Sequence, residues 1–261
     1  IMNIDGRNGL GHFIAVYAMK KAIRMAKETG IGIVTVKNSN YYGAGCYYTH
    51  MAAMEEMVGL ALSNSFPKVA VYGGRNAIFG TNPISFGAPV ENGQHIMVDM
   101  ATASSAGSTI RKCKENKQPI PHGTIIDQLG RSITDPYQAS NGILLPASGP
   151  KGFGLALLVE ILSGILSGSG VSHDVKSMYK DFKEPGNNGH FFIAINIKDL
   201  IPLELYYQRI SHLLAIVLSS NTLPNMEVRY PGQSRWSEFN KSEKLGVKLD
   251  EKTRKQVVSL A

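Results

Sequence analysis

Between Gly11 and Gly30, Phe13, Val16, Met19, Ile23 and Ala26 recur at spacings of three and four. That period predicts a helix with those residues inward and Gly30 as its stop. The β-branched run IGIVTVK (Ile31–Lys37) follows and predicts a buried strand. Tyr47, Met51, Met54 and Met57 then form a stripe that predicts a second helix over 47–57, with methionines filling its core side. GLALSN (Gly59–Asn64) reads as the next strand, so the opening is a strand, loop, helix, strand unit of the α/β kind.

The middle of the chain is strand-rich: VAVYGG, PISFGAP and HIMVDMA are separated by glycine turns. Ser104–Lys117 reads as a helix stopped by Pro119 and Pro121, and Asp127–Gly130 as a turn between short strands. GFGLALLVEILSGILSG (Gly152–Gly168) predicts a buried helix. Glu160 and two serines interrupt it, and it is too short and polar for a membrane span. A Gly/Ser/Asn-rich excursion leads to the strand HFFIAINI, and then to an amphipathic helix over 203–219 with Leu205, Ile210, Leu213, Leu214 and Val217 inward. A charged helix over 248–261 closes the chain.

Composition narrows the class. At 261 residues, 43% hydrophobic and 18% charged, the chain is globular rather than disordered. Its net charge of +7 comes from dispersed lysines and arginines; Arg111-Lys112-Cys113-Lys114 is among the densest runs and is ended by Glu115. No run has the length of a nucleic-acid tail, and small anionic ligands suit the same charge. Two distant cysteines, Cys46 and Cys113, make no disulfide framework, which points to a reducing, cytoplasmic setting. The histidines show no metal-ligand spacing. The opening IMNIDG reads as a strand already under way, so the native N-terminus is expected to lie upstream.

Five segments hold polar or special-geometry residues where a pure core would hold aliphatics. VKNSNYYGAGCYY (Val36–Tyr48) breaks off the first strand in a polar, glycine-containing loop. GTNP (Gly80–Pro83) precedes a strand and is either a plain turn or a hydroxyl-and-amide site at Thr81 and Asn82. Asp99 in DMAT either caps the helix that follows or accepts from a ribose hydroxyl. GPKGFG opens a helix whose free N–H groups, with Lys151, suit an anion such as a pyrophosphate. RYPGQSRW (Arg229–Trp236) is a turn carrying two arginines. No G-x-G-x-x-G sits between a strand and a helix, so the pattern is not that of a Rossmann domain.

In order and spacing these segments resemble the type-2 malate/L-lactate dehydrogenase family, which includes ureidoglycolate and sulfolactate dehydrogenases. The resemblance rests on VKNSNYYGAGCYY, FGTNPISFGAP, VDMATA, ITDP, SGPKGFGLALLVE, NNGHFFIAINI and YPGQ, and runs from Asp5 to the last helix. It implies a mixed α/β, non-Rossmann NAD(P)-binding fold, homodimers, and NAD(P)-dependent interconversion of a 2-hydroxy acid and its 2-oxo acid. It further implies a substrate and dimer part in 1–50, a central NAD(P)-binding domain in 51–185, and a return to the first part in 186–261. By position, Ser65, Asp99, Met100, Ala101, Lys151, Gly152, Pro231, Gly232 and Gln233 would hold NAD or NADP, and Thr81 would lie at the substrate.

The chain departs from the family where protons move. The resemblance places the family's acidic histidine at Tyr41, and a glycine followed by a charged relay residue at Ser108 and Thr109. A free tyrosine titrates at about pH 10, so it donates a proton at neutral pH but makes a poor base. A nearby cation would ease that, and Lys37 is the nearest in sequence. His50 reads as a packed or surface residue. The family's Ser-His-Gly segment and carboxylate-binding arginine fall upstream of Ile1. Two readings stay open: a dehydrogenase using Tyr41 and Thr109, or a catalytically impaired relative that keeps the nucleotide cradle.

Overall fold

The computed structural model describes residues 1–260. The chain begins with β1 (Met2–Asp5), α1 (Gly11–Thr29), β2 (Ile31–Ser39), α2 (Gly45–Met54) and β3 (Met57–Ser63). Five short elements follow: β4 (Val69–Ala70), β5 (Ala77–Phe79), β6 (Ile84–Ala88), β7 (Ile96–Met100) and α3 (Gly107–Glu115). Next come β8 (Ile125–Ile126), β9 (Ile143–Leu144) and α4 (Pro150–Val159), which runs on into a π-helical turn over Glu160–Ile165. The last elements are β10 (Asn188–Asn196), α5 (Leu203–Leu218), α6 (Gln233–Leu245) and α7 (Glu251–Leu260).

The principal sheet has the order β1-β2-β10-β3-β6-β7 and draws strands from each of the three expected segments. β1 and β2 are parallel, whereas β10 runs antiparallel to both β2 and β3. The crossover from β2 through α2 to β3 therefore skips one place, and β10 fills it. A second sheet, β5-β4-β9-β8, covers its own small core of Val69, Ala103, Ile120, Ile125 and Leu144. This is a mixed α/β fold without a doubly wound nucleotide domain.

Alternation along β10 sorts the layers. Phe192 and Ala194 meet Ala15, Ala18, Met19 and Ala22 of α1 and Tyr48 and Ala52 of α2, forming the larger core. Phe191 points the other way, toward Leu62 and Val159, where the end of α4 packs. α1 matches its pattern closely: Met19, Ile23 and Ala26 are buried, and Gly30 ends it with φ 81°. Phe13 breaks the pattern at 74% exposure, because it lies in the first turn, clear of the sheet.

Three expectations change. The second helix stops at Met54, and Met57, only 1% exposed, belongs to β3; the buried side of α2 is Gly45, Tyr48, Thr49, Ala52 and Ala53, with Tyr47 and Met54 outward. α4 and its π turn are not wholly buried: Gly152, Ala156, Val159, Glu160, Ser163 and Gly164 face in, while Leu155, Leu157, Leu158, Ile161 and Ile165 face out. α5 buries no residue, so Leu205 and Leu213 of its apolar stripe stand exposed. Among the described residues, no helix is long and apolar enough to cross a membrane, and no His, Cys, Asp or Glu group is arranged to hold a metal ion.

Candidate active site

β2 ends at Ser39, and the next residues turn back over the edge of the sheet so that α2 can start at Gly45. In that loop Tyr41 and Tyr42 part company. Tyr42 is buried, stacked on His190 with centroids 4.9 Å apart, whereas Tyr41 is 50% exposed. The ring of Tyr41 meets that of His12, from the first turn of α1, edge-on at 5.7 Å. Lys37 plays no part here: it pairs with Asp5 across β1 and β2, and its charge acts on that carboxylate.

Tyr41 lines a cavity of about 250 Å³ whose other walls include Ser65, Thr81, Ser108, Arg111 and Lys68. Asn64 and Asn188 close its floor. The cavity thus joins the tyrosine loop, the end of β3, the GTNP turn and the start of α3. Thr109 does not reach it. That residue is exposed in the first turn of α3 and donates its N–H to Ala106 O, leaving Ser108 and Arg111 as the side chains α3 presents. The physical reason is helical spacing, since Ser108 and Arg111 share a face that Thr109 does not.

Backbone hydrogen bonds weld three motifs together. Thr102 N–H donates to Thr81 O at 2.9 Å, Ala147 N–H to Thr102 O at 2.9 Å, and Gly152 N–H to Ala147 O at 2.8 Å. GTNP, DMAT and GPKGFG therefore form one continuous unit. Gly152 has to be glycine there, because a Cβ would come within 2.2 Å of Ala147 O. Its N–H is consequently not free for an anion, which corrects the expectation for that amide. Lys151 beside it is exposed, and among the described residues it makes no salt bridge.

Glu160 is the buried hub behind this unit. At 4% exposure it accepts from Asn82 Nδ2 at 2.7 Å, Ser172 N–H at 2.7 Å and Asn64 Nδ2 at 3.3 Å. Asn82 also accepts from the N–H of Ser65 at 3.1 Å, so the hub places both Thr81 and Ser65. In the sequence Glu160 was visible as the last residue of the SGPKGFGLALLVE motif and as an interruption of an apolar run, with no role assigned to it.

Asp99 caps a helix, but not the one expected. Its carboxylate accepts from Ser85 Oγ at 2.7 Å and from the Cys46 N–H, at the start of α2, at 3.3 Å. Arg235 of α6 lies 3.6 Å away and also donates to Cys46 Sγ at 2.8 Å. Burial, followed by the Asp99 carboxylate, pushes the Cys46 thiol up to about 11. Both Asp99 oxygens thus have partners within the chain, and Met100 and Ala101, which follow it, keep accessible surface. Pro231, Gly232 and Gln233 lead into α6 and lie along β7, where Pro231 O accepts from Met97 N–H at 3.0 Å.

His50 is half-buried, packed against His95 at 5.5 Å and Trp236 at 5.3 Å, away from the cavity. Lys68 and Arg111 are the cavity residues that sequence reasoning missed. Arg111 stood in the densest basic run, where it counted only as charge; its position one helical turn after Gly107 was the available signal.

The donor set fits a nicotinamide dinucleotide in its chemistry. Met100 offers apolar surface, Lys151 an unpaired cation, and Gly107 and Ser108 the start of a helix that has no side-chain cap. Comparison with known proteins gives the family. The malate/L-lactate dehydrogenase family model matches residues 1–258, and the chain belongs to that family, one of NAD(P)-dependent 2-hydroxy-acid dehydrogenases. It is 38% identical over 268 residues to the malate dehydrogenase of Pyrococcus horikoshii, covering 99% of this chain and 73% of that enzyme. It is 38% identical over 230 residues to the L-sulfolactate dehydrogenase of Methanocaldococcus jannaschii, covering 88% and 66% of the two chains. The crystal structure of malate dehydrogenase from Entamoeba histolytica superposes with a TM-score of 0.91 at 28% identity, over 99% of this chain and 76% of that one.

Proposed function

We propose that this chain reduces a small 2-oxo acid to its 2-hydroxy acid with NADH or NADPH, Tyr41 donating the proton. The observation that carries the reading is the single cavity that Tyr41, Ser65 and Thr81 line together. The dinucleotide, when bound, supplies the hydride to the carbonyl carbon. The chain's part is to hold the acid and to finish the charge: the Tyr41 hydroxyl gives its proton to the oxygen that becomes the alcohol. Solvent returns that proton, since the ring is half exposed. A phenol donates readily and accepts poorly at neutral pH, which favours reduction over oxidation. Ser65, Met100, Ala101, Lys151 and the Pro231-Gly232-Gln233 turn form the dinucleotide cradle in this reading, with Asp99 acting through its backbone and its hold on α2. The outward apolar faces of α4 and α5 support assembly as a homodimer.

The test measures NADH and NADPH oxidation with pyruvate and oxaloacetate, together with cofactor binding by nicotinamide fluorescence. Tyr41→Phe is expected to lower kcat by about 100-fold or more while cofactor binding stays within about 2-fold. A Tyr41→Phe enzyme with an undiminished rate would place the acid elsewhere. An inert parent that Tyr41→His awakens would establish the impaired-relative reading instead.

A further inference from the structure

The charged residues lining the Tyr41 cavity are Lys68 and Arg111, both cations, and no carboxylate lines it. Among the described residues neither one makes a salt bridge. Like charges brought to one mouth repel, and the usual remedy within a protein is an acidic neighbour. The Tyr41 cavity itself has none; the carboxylates Asp181 and Glu184 belong to the wider cleft outside it.

Packing holds the pair in place. The Lys68 ammonium lies over the rings of Phe66 at 5.0 Å and Tyr179 at 5.2 Å, contacts that favour its place at the cavity wall while the side chain stays partly in solvent. Burial, then the charges of Arg111 and Lys180, holds it below the usual lysine value. Arg111 comes from the same helical face as Gly107 and Ser108. The unpaired amides at the start of α3 therefore add positive potential on the same side.

The cavity opens past these residues into a wider cleft whose further charged residues are Lys176, Lys180, His173, Asp181 and Glu184. Asp181 accepts from Ser177 N–H at 2.8 Å, and among the described residues neither it nor Glu184 forms a salt bridge with Lys68 or Arg111. An anion entering from the cleft meets Lys68 and Arg111 before it reaches Tyr41.

We propose that Lys68 and Arg111 are the specificity-determining residues of the site, gripping an anionic group of the substrate remote from the carbon that is reduced. The inference rests on the reading of the cavity as a 2-oxo-acid site and deepens it. Two adjacent cations match a substrate with a second acid group, whether carboxylate or sulfonate, better than a monoanion such as pyruvate. Arginine offers a planar fork to two oxygens, and lysine a point charge beside it. In this assignment both act on binding, and the proton transfer stays with Tyr41.

The experiment compares pyruvate, oxaloacetate and sulfopyruvate as substrates for the wild type, Lys68→Met, Arg111→Gln and Lys68→Arg. Both cations lie partly in solvent, so these variants are expected to fold, and NADH binding serves as the control. Lys68→Met and Arg111→Gln should each raise KM for oxaloacetate or sulfopyruvate by about 10- to 100-fold, with kcat and NADH affinity within about 3-fold. KM for pyruvate should move by less than about 3-fold, and Lys68→Arg should retain most of the dianion preference. The oxaloacetate and sulfopyruvate arms decide which acid group the pair prefers. Equal losses with pyruvate, or unchanged KM values, would overturn the assignment. If the wild type reduces no 2-oxo acid, titration calorimetry with malonate decides separately. Binding that Lys68→Met and Arg111→Gln weaken by about 10-fold keeps the grip although the reaction fails, whereas no binding by the wild type removes the grip as well.

Discussion

Two helices flank the central sheet and are built on opposite rules. α1 packs with an ordinary amphipathic face, burying Ile14, Met19, Ile23 and four alanines against β2 and β10. α4 and its π turn turn inward glycine, alanine, serine, one valine and Glu160, and send leucines and isoleucines outward. The first helix holds the fold by apolar burial, about 25 cal/mol per Å² of surface removed from water. The second holds loops in place by hydrogen bonds that one buried carboxyl group accepts. The difference separates what keeps the chain folded from what keeps the site assembled.

The largest effect should come from exchanging those roles. Glu160→Ala removes the acceptor of the Ser172 N–H and one of the two acceptors of each of the Asn64 and Asn82 amides, which keep Gly170 O and Ala156 O. Its expected cost is about 3–5 kcal/mol, measured as the urea midpoint. Met19→Ala opens a cavity in the α1 layer and should cost a similar 2–5 kcal/mol. The two should part on function. Below their unfolding transitions, Met19→Ala should bind NADH as the wild type does, and Glu160→Ala should bind it at least about 10-fold more weakly, because Ser65 and Thr81 lose their anchor. Equal cofactor affinity in the two variants would erase the distinction.

The α1 layer also holds a buried polar cluster, and its histidine gives the next effect. His190 is fully buried between Ser63 Oγ at 2.9 Å and Ser39 Oγ at 2.8 Å, and burial holds its imidazole down at about 3. In the unfolded chain it titrates near 6.5. Above that pH both states are neutral and the stability is fully present. As pH falls from 6.5 toward 3, the unfolded chain takes up a proton that the folded chain refuses, so stability drops by about 1.4 kcal/mol per pH unit. His50 and His95, also lowered by burial, act in the same direction. Urea midpoints at pH 7.5 and 5.0 should show a loss of about 2 kcal/mol in the wild type and a shallower one in His190→Gln. Equal slopes would locate the acid sensitivity elsewhere.

The contrast between the helices also explains what could be read from the chain beforehand. α1 was legible because period, cap glycine and burial agree, and the motif order alone pointed to the family. The inward face of α4 was not legible. A run such as GFGLALLVEIL looks buried all round, and which side packs depends on Asn64 and Asn82, which are distant in sequence. Asp99 was expected to cap the helix that follows it or to hold a ribose, yet its carboxylate accepts at the start of α2, since β7 and α2 meet only once the sheet has formed. Arg111 and Lys68 carried no motif at all. Their shared cavity arises from the placement of α3 beside the end of β3, which no local pattern encodes.

The smallest effect tests the outward face directly. Leu157 projects from α4 at 42% exposure, so within one chain it removes little surface from water. Leu157→Gln should shift the urea midpoint by no more than about 0.5 kcal/mol at low protein concentration, the usual range for a surface position. If this face is shared between two copies, the same substitution should shift the monomer–dimer balance toward monomer in sedimentation equilibrium, and stability should depend on protein concentration in the wild type more than in the variant. A concentration-independent loss of about 2 kcal/mol or more would mean that Leu157 packs inside its own chain. α4 would then be built by the same rule as α1, and the division between a helix that holds the fold and a helix that holds the site would no longer stand.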